Sequence, residues 1–294
     1  MHWQQITLVG VGLLGGSLGL AIKQRRLAQR VVGFVRRAAS VQECEALAVC
    51  DEATRDVQTA VRAADLIIFC TPIAQMRELA ERMLPAVKPG IIATDVGSVK
   101  EIVVEDLEPT FARVGAHFVG SHPMAGAEKI GVRAAQADLF NKAVCVVTPT
   151  ASVKMDAVEK VEEFWRCVGA VPIRMSPETH DDLVSRSSHL PHVVAAELAN
   201  YVLSPVHPKE QGLLCANGFR DTTRIASGSP EMWRDICLAN RVNLARVLGV
   251  FIEDLEEFRI ALDNSDTKSI EEFFHQAKRR RDQWGVEGRM TSEE

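Results

Sequence analysis

The sequence predicts two domains of different class: an α/β domain with a mostly parallel sheet, followed by an all-α domain. Up to about residue 176, short apolar runs alternate with amphipathic stretches, the pattern of buried strands covered by helices on both faces of a sheet. After Ser176, apolar residues recur at helical intervals. We therefore expect a first domain over residues 1–176, a helical domain over 177–287 and a flexible tail over 288–294.

The first domain is predicted to alternate strands and helices along its whole length. Each predicted strand is a short apolar run, and each predicted helix carries apolar residues on one face. The predicted strands cover residues 6–9, 31–35, 66–70, 91–94, 118–119, 143–147 and 171–173. The predicted helices cover residues 15–26, 41–49, 73–87, 99–114 and 153–168.

The second domain carries apolar residues at helical spacing from 232 to 262, which predicts one long helix or two nearly collinear ones. The segment 264–268 interrupts this pattern. Ser269 and Glu272 then have the spacing of a capping box for a further helix. The apolar residues of the long helix cover more than one face, so they form either an internal core or an interface between two copies of the chain.

Composition and charge exclude several classes of protein. The 294 residues are 47% apolar and 25% charged, as in globular domains, and the net charge of −5 argues against a broad nucleic-acid surface. The sequence contains no apolar run long enough for a membrane span. Its seven cysteines include no C-x-x-C pair, which favours free thiols in a reducing compartment over disulfides or a zinc site. We expect a cytoplasmic protein without nucleic-acid or membrane partners.

A glycine-rich turn predicts a dinucleotide site. Gly10-x-Gly12-x-x-Gly15 follows the first predicted strand and opens the first predicted helix. Gly10 permits a tight turn, Gly12 lets a pyrophosphate approach the backbone, and Gly15 allows close packing of helix on strand. The expected cofactor contacts in this loop are Gly10, Gly12, Leu13, Leu14 and Gly15. A glycine-rich turn without a ligand is the alternative.

The end of the second predicted strand bears on the choice of cofactor. NAD sites usually carry an acidic residue about 20 residues after the glycines, where this chain has Val35, Arg36 and Arg37. The two guanidiniums can bind a 2′-phosphate, and no carboxylate stands there to repel it, so NADP is favoured over NAD. Side chains that simply point to solvent are the alternative. Thr71 and Pro72 follow the third predicted strand, where a nicotinamide cofactor would pass.

Five further motifs follow the glycine-rich loop, in a fixed order. They are DVGSVK (95–100), SHPMAGAE (121–128), SHLPH (188–192), FRDTTRI (219–225) and MWRDI (232–236). With these motifs the chain resembles the prephenate/arogenate dehydrogenase family from about residue 5 to residue 275. The resemblance implies a Rossmann-type nucleotide-binding domain followed by an all-α dimerisation domain. It therefore implies a homodimer and favours the interface interpretation of the long helix.

The resemblance implies an oxidative decarboxylation. A hydride would pass from the carbinol carbon of a cyclohexadienol to NAD(P), carbon dioxide would leave, and the ring would become aromatic. Prephenate would give 4-hydroxyphenylpyruvate and arogenate would give tyrosine, so the enzyme would act in tyrosine biosynthesis. This chemistry requires a hydrogen-bond acceptor at the carbinol and donors or cations for two carboxylates.

The resemblance also implies roles for individual residues. His122 is the expected acceptor at the substrate hydroxyl, a task that an imidazole suits near neutral pH. Ser98 is expected to hydrogen-bond the same hydroxyl, although the residues alone favour an N-cap serine for the following helix. Arg224 is expected to bind a substrate carboxylate, with a surface salt bridge as the alternative.

Further side chains complete the expected substrate pocket. His192 matches a residue near the substrate side chain, and Glu128 matches a carboxylate at the pocket entrance, for which an ordinary surface glutamate is an equal alternative. Trp233 either packs against the pocket or belongs to the core. The full set is His180, His189, His192, Glu128, Trp233 and Asn217. We expect no metal site, because the histidines lack H-E-x-x-H spacing and the reaction needs no metal.

The choice between the two substrates depends on the side-chain end of the pocket. An acidic residue there would favour the amine of arogenate, and only His192 is found, so prephenate is favoured. Asn217 stands where many members of the family carry glycine, which leaves arogenate as an alternative.

Two more distant functions remain. A 3-hydroxyacid dehydrogenase or an imine reductase has a similar build but would lack the motifs of His122 and Arg224. A nucleotide-binding regulator without turnover would not need these residues or Ser98.

Overall fold

The computed structural model describes residues 2–126 and 131–290. The chain divides into two compact units, Met1–Arg241 and Val242–Glu294. The described strands are β1 (Trp3–Val9), β2 (Ala28–Phe34), β3 (Glu52–Thr54), β4 (Leu66–Phe69), β5 (Ile92–Asp95), β6 (His117–Pro123), β7 (Val144–Thr148) and β8 (Val171–Arg174). The helices before residue 176 are α1 (Leu13–Gln24), α2 (Ala38–Ala46), α3 (Val57–Val61), α4 (Ile73–Met83), α5 (Glu101–Ala112) and α6 (Met155–Cys167). Those after it are α7 (Pro177–Val184), α8 (Leu190–Val202), α9 (Glu210–Leu213), α10 (Asn217–Thr223), α11 (Pro230–Ala239), α12 (Arg241–Asp263) and α13 (Thr267–Met290).

The eight described strands form one sheet in the order β3-β2-β1-β4-β5-β6-β7-β8. Neighbouring strands run parallel, except that β6 and β7 are antiparallel. This order and direction confirm the expected Rossmann-type α/β fold. The chain winds outward in both directions from β1 and β4. The carboxyl ends of these two strands therefore flank a crevice, the usual ligand site of such sheets.

Each face of the sheet is covered by its own layer of apolar side chains. Along β4, Leu66 and Ile68 pack into the layer that contains α1 and α6, whereas Ile67 and Phe69 pack into the layer that contains α4 and α5. All four side chains are fully buried. Successive residues of a strand point to opposite faces, so a strand buried on both sides must be apolar at every position, as the predicted run was.

Within residues 1–176, one described strand and one described α-helix are absent from the predicted elements. β3 has three residues, two of them polar, and therefore lacks the apolar run that predicts a strand. α3 has five residues, too few to display a helical period. It begins at Asp56, whose carboxylate accepts a hydrogen bond from the Gln58 backbone N–H at 3.0 Å.

The helical part of the first unit begins with an N-cap at Ser176, whose hydroxyl accepts from the Thr179 N–H at 3.2 Å. A π-helical turn, Ser185–His189, then joins α7 to α8. Such a turn inserts extra backbone into a helix and is frequently found at functional sites. Here it ends at a fully buried histidine, His189.

The apolar pattern from 232 to 262 belongs to two helices, α11 and α12, and not to one long helix. Asn240 separates them. The predicted capping box at Ser269 is wrong, because α13 begins two residues earlier, at Thr267. Asp266 is the cap, since its carboxylate accepts from the Ser269 N–H at 3.1 Å and from the Ser269 hydroxyl at 2.7 Å.

The second unit contains nearly all of α12 and all of α13. Phe258 of α12 contacts Phe273 and Phe274 of α13, with ring centroids 4.5 and 5.8 Å apart. Other large apolar side chains of this unit are exposed: Val242, Val250, Ile252, Leu255, Ile260, Leu262 and Trp284. Helix α13 extends to Met290 and so includes residues 288–290 of the predicted tail. Residues 291–294 lie outside the described part. Among the described helices, none has the length and apolar character needed to cross a membrane.

Candidate active site

The glycine-rich loop lies at the carboxyl end of β1. Gly10 has a φ of +98°, and a Cβ there would lie 2.8 Å from Cγ2 of Thr71 at the end of β4. A Cβ on Gly15 would lie 2.1 Å from the Gly10 carbonyl oxygen, so neither position accepts a side chain. At Gly12, by contrast, an added Cβ would have no described heavy atom within 4 Å beyond its neighbours in the chain. The backbone at Gly12 is therefore open for a ligand to approach.

The first turn of α1 follows this loop. Within the described residues it has no side-chain cap and no acidic residue, so its N–H groups and positive dipole end suit a phosphate. Leu13 and Leu14 are half-buried, and Leu14 packs against the core. The Thr71 hydroxyl is buried without a partner in the described chain, and the exposed Pro72 stands before α4. An unpaired hydroxyl beside an open glycine backbone fits a dinucleotide across β1 and β4.

The predicted arginines follow β2. Val35 is buried, and Arg36 and Arg37 are exposed, with Arg37 immediately before α2. A further guanidinium lies beside them, because Arg55 Nε donates to the Arg36 carbonyl at 3.1 Å. Arg55 follows β3, the strand that lacks a sequence signal, so its position next to Arg36 follows from the pairing of β2 with β3.

His122 lies near the end of β6, which is longer than the predicted strand. The residue is 9% exposed, and its Nδ1 lies 2.8 Å from Nε2 of His180 on α7. Nδ1 of His180 lies 2.7 Å from Oδ1 of Asp181. His180 and Asp181 are buried, so a line of hydrogen bonds runs from His122 into the protein.

Burial favours the neutral form of two of these histidines, His122 and His189. It is the main reason that the pKa of His122 lies well below the ordinary value, and the nearby charges of His180, Lys100 and His189 lower it further. Burial likewise lowers the pKa of His189 to about 4. A neutral imidazole at physiological pH has one bare nitrogen that can accept a hydrogen bond.

His189 is fixed from the opposite side by Asn240. The Asn240 amide nitrogen lies 3.2 Å from Nδ1 of His189 and donates to the Asp181 carbonyl at 2.8 Å. Nε2 of His189 is buried, and the Ser98 backbone interacts with this imidazole and partly offsets the lowering of its pKa. The π-helical turn thus places His189 close to the Ser98 loop and to the His122 and His180 pair.

The segment that carries Ser98 is tied to the strand that carries the catalytic candidate His122. The Asp95 carboxylate at the end of β5 accepts from the Gly97 N–H at 2.8 Å and from the Ser121 N–H at 3.0 Å. The buried Lys100 ammonium bonds to Asp95 and donates to the Ser121 carbonyl at 2.9 Å. These contacts join residues directly adjacent to Ser98 and to His122.

The expectation that Ser98 caps the following helix is wrong. α5 begins at Glu101, two residues later than predicted, and its cap comes from α7. Oδ1 of Asp181 accepts from the Lys100 N–H at 2.7 Å, and Oδ2 accepts from the Glu101 N–H at 3.0 Å. Ser98 is half-buried in the loop that precedes the helix and does not cap it.

A second cluster of predicted residues surrounds Trp233. His192 stacks on its ring with centroids 3.8 Å apart, and His192 Nδ1 lies 2.8 Å from the Ser188 carbonyl oxygen. His189 meets the same indole edge-on at 6.1 Å. The pKa of His192 is lowered by burial and also by the charge of Arg224, which places Arg224 near this imidazole. Trp233 therefore packs on histidines and not in the apolar core.

One predicted residue is not joined to these clusters, and another lies outside the described residues. Asn217 is exposed at the start of α10, and the described contacts do not connect it to the histidines. Glu128 lies outside the described residues. Within the described part of the chain, no group of three or more His, Cys, Asp or Glu side chains could hold a metal ion.

Several structurally important residues lack a predicted role. Asp95 and Lys100 are the first and last residues of the DVGSVK motif and form a buried ion pair. Opposite charges five residues apart were the signal in the sequence for this pair. Ser121 precedes His122, and its buried hydroxyl donates to the Asp95 carbonyl at 2.6 Å. Asp181 follows His180 directly, but the sequence offers no sign that it reaches another helix.

Comparison with known protein families agrees with this geometry. Residues 18–174 match the family described as "Prephenate dehydrogenase, nucleotide-binding domain". Residues 176–276 match "Prephenate dehydrogenase, dimerization domain".

Individual relatives match over nearly the whole chain. The prephenate dehydrogenase of Bacillus subtilis is 35% identical over 94% of this chain and 75% of its own length. The cyclohexadienyl dehydrogenase of Zymomonas mobilis is 34% identical over 95% of both chains. The crystal structure of prephenate dehydrogenase from Aquifex aeolicus, in complex with hydroxyphenyl propionate and NAD+, superposes with a TM-score of 0.88. It is 30% identical, and the match covers 95% of this chain and 98% of that one. The chain belongs to the prephenate dehydrogenase family of NAD(P)-dependent oxidoreductases.

Proposed function

We propose that the enzyme oxidises and decarboxylates prephenate to 4-hydroxyphenylpyruvate, and that His122 accepts the hydrogen bond of the substrate carbinol. The observation that carries this proposal is the neutral, nearly buried imidazole of His122 beside the Ser98 loop, at the carboxyl end of the sheet. Relatives named prephenate and cyclohexadienyl dehydrogenase, about a third identical, support the substrate class.

The reaction requires little acid–base chemistry from the protein. Bound NADP would supply the acceptor for the hydride that leaves the carbinol carbon, while carbon dioxide leaves the ring and makes it aromatic. His122 accepts the hydrogen bond of the carbinol hydroxyl and stabilises the positive charge that develops on its oxygen. The product retains this hydroxyl as a phenol, so the proton stays with the oxygen or returns to it. Ser98 provides a second hydrogen bond that orients the same group.

The substrate's side chain is proposed to lie near Trp233, His192 and Arg224. A guanidinium attracts a carboxylate and repels an ammonium group. Among the described charged groups, Arg224 is the one whose positive charge lowers the pKa of His192. A positive charge at this end of the pocket favours the keto acid of prephenate over the amine of arogenate. Arogenate remains the second candidate because the Zymomonas mobilis relative is named as a cyclohexadienyl dehydrogenase.

NADP is proposed as the preferred cofactor. Arg36 and Arg55 meet just beyond β2 and β3, and Arg37 follows Arg36. Val35 stands where an acidic residue would bind the ribose of NAD. The solved structure from Aquifex aeolicus contains NAD+, so this preference would distinguish the present enzyme from that relative.

We further propose a cytoplasmic homodimer that associates through a helical domain beginning at residue 177. The family match over 176–276 is described as a dimerization domain, and the many exposed apolar side chains of α12 and α13 are typical of an interface. The seven cysteines are free, which is usual in a reducing compartment.

A steady-state assay of nicotinamide reduction tests the proposal. Prephenate, arogenate and 3-hydroxyisobutyrate are each offered with NADP and with NAD. We expect the highest kcat/KM with prephenate and NADP. Turnover of arogenate alone would overturn the substrate assignment, and a strong preference for NAD would overturn the cofactor assignment. Turnover of 3-hydroxyisobutyrate alone would support the more distant dehydrogenase.

A further inference from the structure

We propose that Asp181 is a positioning residue whose carboxylate sets the tautomers of His180 and His122, so that His122 presents a bare Nε2 to the substrate. The same carboxylate anchors the segment that carries Ser98. This inference rests on the proposed function and adds to it the origin of the catalytic geometry.

The first step concerns the charge of Asp181. Its side chain is 1% exposed, and its two oxygens accept from the backbone N–H groups of Lys100 and Glu101 at 2.7 and 3.0 Å. These groups stand at the N-terminus of the twelve-residue helix α5, whose dipole favours an anion. An ionised carboxylate has no proton to donate, so it can only accept hydrogen bonds.

The second step follows from hydrogen-bond polarity. Because Oδ1 of Asp181 is an acceptor, Nδ1 of His180 at 2.7 Å must carry the proton. A neutral imidazole then has its lone pair on Nε2, which accepts from Nδ1 of His122 at 2.8 Å. Nε2 of His122 is left without a proton. Two consecutive contacts therefore produce the acceptor that the carbinol needs.

The third step identifies the groups that surround Asp181. His180 faces it from its own helix, Lys100 and Glu101 from the start of α5, and His189 from the π-helical turn. The ammonium of Lys100 is engaged by Asp95 and Ser121, so it does not pair with Asp181. Burial and then the charge of Asp181 raise the pKa of Glu101. The N–H groups of α5 and His180 are thus the described donors to this carboxylate.

The fourth step connects the carboxylate to Ser98. Lys100, whose N–H binds Asp181, lies two residues after Ser98. The Asp181 carbonyl is itself fixed by the Asn240 amide at 2.8 Å. One buried residue therefore joins the loop of Ser98 to the imidazole of His122, and both hydrogen-bond partners of the substrate hydroxyl depend on it.

The protonation pattern can be measured directly on the unmodified enzyme. In ¹⁵N NMR spectra of the histidine side chains, we expect His122 and His180 both to carry the proton on Nδ1 and to have an unprotonated Nε2. The opposite tautomer at His122, or a protonated Nε2 there at neutral pH, would overturn the inference. This measurement does not depend on any variant folding correctly.

The variant Asp181→Asn provides a kinetic test. Its amide can turn an N–H group toward His180, which reverses both tautomers and places a proton on Nε2 of His122. We expect kcat to fall at least about 100-fold. The KM for the cofactor should stay within a few-fold of the original. In the ¹⁵N spectrum of His122, Nε2 should become the protonated nitrogen and Nδ1 the unprotonated one. Loss of stability and of cofactor affinity with unchanged tautomers would show a merely structural role and overturn the proposal.

Asp182→Asn is the matched control. Asp182 is the next residue on α7 and forms an ion pair with Arg186 at 2.8 Å. Removing its charge should leave kcat and the tautomers unchanged, because its carboxylate pairs with the exposed guanidinium of Arg186 through both oxygens. Wild-type enzyme that is inactive with prephenate would overturn the proposed function. A reversed tautomer in an active enzyme would overturn only the role of Asp181.

Discussion

Lys100 and Asp95 form an ion pair in which neither side chain has any exposed surface. The pair also fixes two loops, because Asp95 accepts from the N–H groups of Gly97 and Ser121 while Lys100 donates to the Ser121 carbonyl. A buried charge without its partner is strongly unfavourable, so these contacts make the pair important for stability as well as for the site.

Substitution of Lys100 should therefore destabilise the fold. We expect Lys100→Met to lower the free energy of unfolding by roughly 3–5 kcal/mol, the usual cost of removing one partner of a buried pair. Lys160→Met is the control, since Lys160 pairs with Asp156 on the surface of α6 and should contribute at most about 1 kcal/mol. Urea unfolding measures both values, and equal losses would show that burial of the first pair is unimportant.

The pH dependence of the reaction should reflect the lowered pKa of His122. Burial and neighbouring charges disfavour its protonation, so it stays neutral and able to accept a hydrogen bond below the ordinary pKa of about 6.5. We expect kcat/KM for prephenate to stay level as the pH falls from about 8 to about 6.5 and to decline only in more acidic solution. A decline with its midpoint at or above about 6.5 would contradict this assignment.

Loss of Arg224 should act on substrate binding. We expect Arg224→Ala to raise the KM for prephenate by roughly 10- to 100-fold, the equivalent of a hydrogen bond to a charged group, while kcat changes little. Arg113→Ala is the control, because Arg113 pairs with Glu81 on the surface at the end of α5. An unchanged KM in the first variant would remove Arg224 from the pocket.

The arginines beyond β2 and β3 should determine cofactor choice. We expect the double variant Arg36→Ala/Arg55→Ala to raise the KM for NADP about tenfold or more and to leave the KM for NAD nearly unchanged, because only NADP carries the 2′-phosphate. Arg62→Ala removes a nearby exposed charge and serves as the control. Equal changes for both cofactors would indicate that these arginines do not contact the 2′-phosphate.

Local rules were sufficient where one element determines a residue's environment. Gly10 and Gly15 are explained by the turn between β1 and α1, and the buried run at β4 is explained by a sheet covered on both faces. His122, His192 and Trp233 each stand in a sequence motif, and the structure places them in two clusters, one with His180 and one around Trp233. In each case the signal lies within a few residues of the chain.

Local rules failed where a contact joins distant segments. Ser98 is a good N-cap residue by composition, yet α5 is capped by Asp181, which lies 81 residues away from Lys100 in the sequence. Arg55 reaches Arg36 only because the short strand β3 pairs with β2. The packing of helices against the sheet decides such contacts, and no period or motif of a single segment contains that information.

The most direct test of the central claim is the turnover of the His122→Asn variant with prephenate and NADP. Without an imidazole acceptor at the carbinol, we predict that kcat falls at least about 100-fold while the Kd for NADP stays within a few-fold of the original value. A folded variant that keeps more than about a tenth of the original kcat would contradict the role of His122.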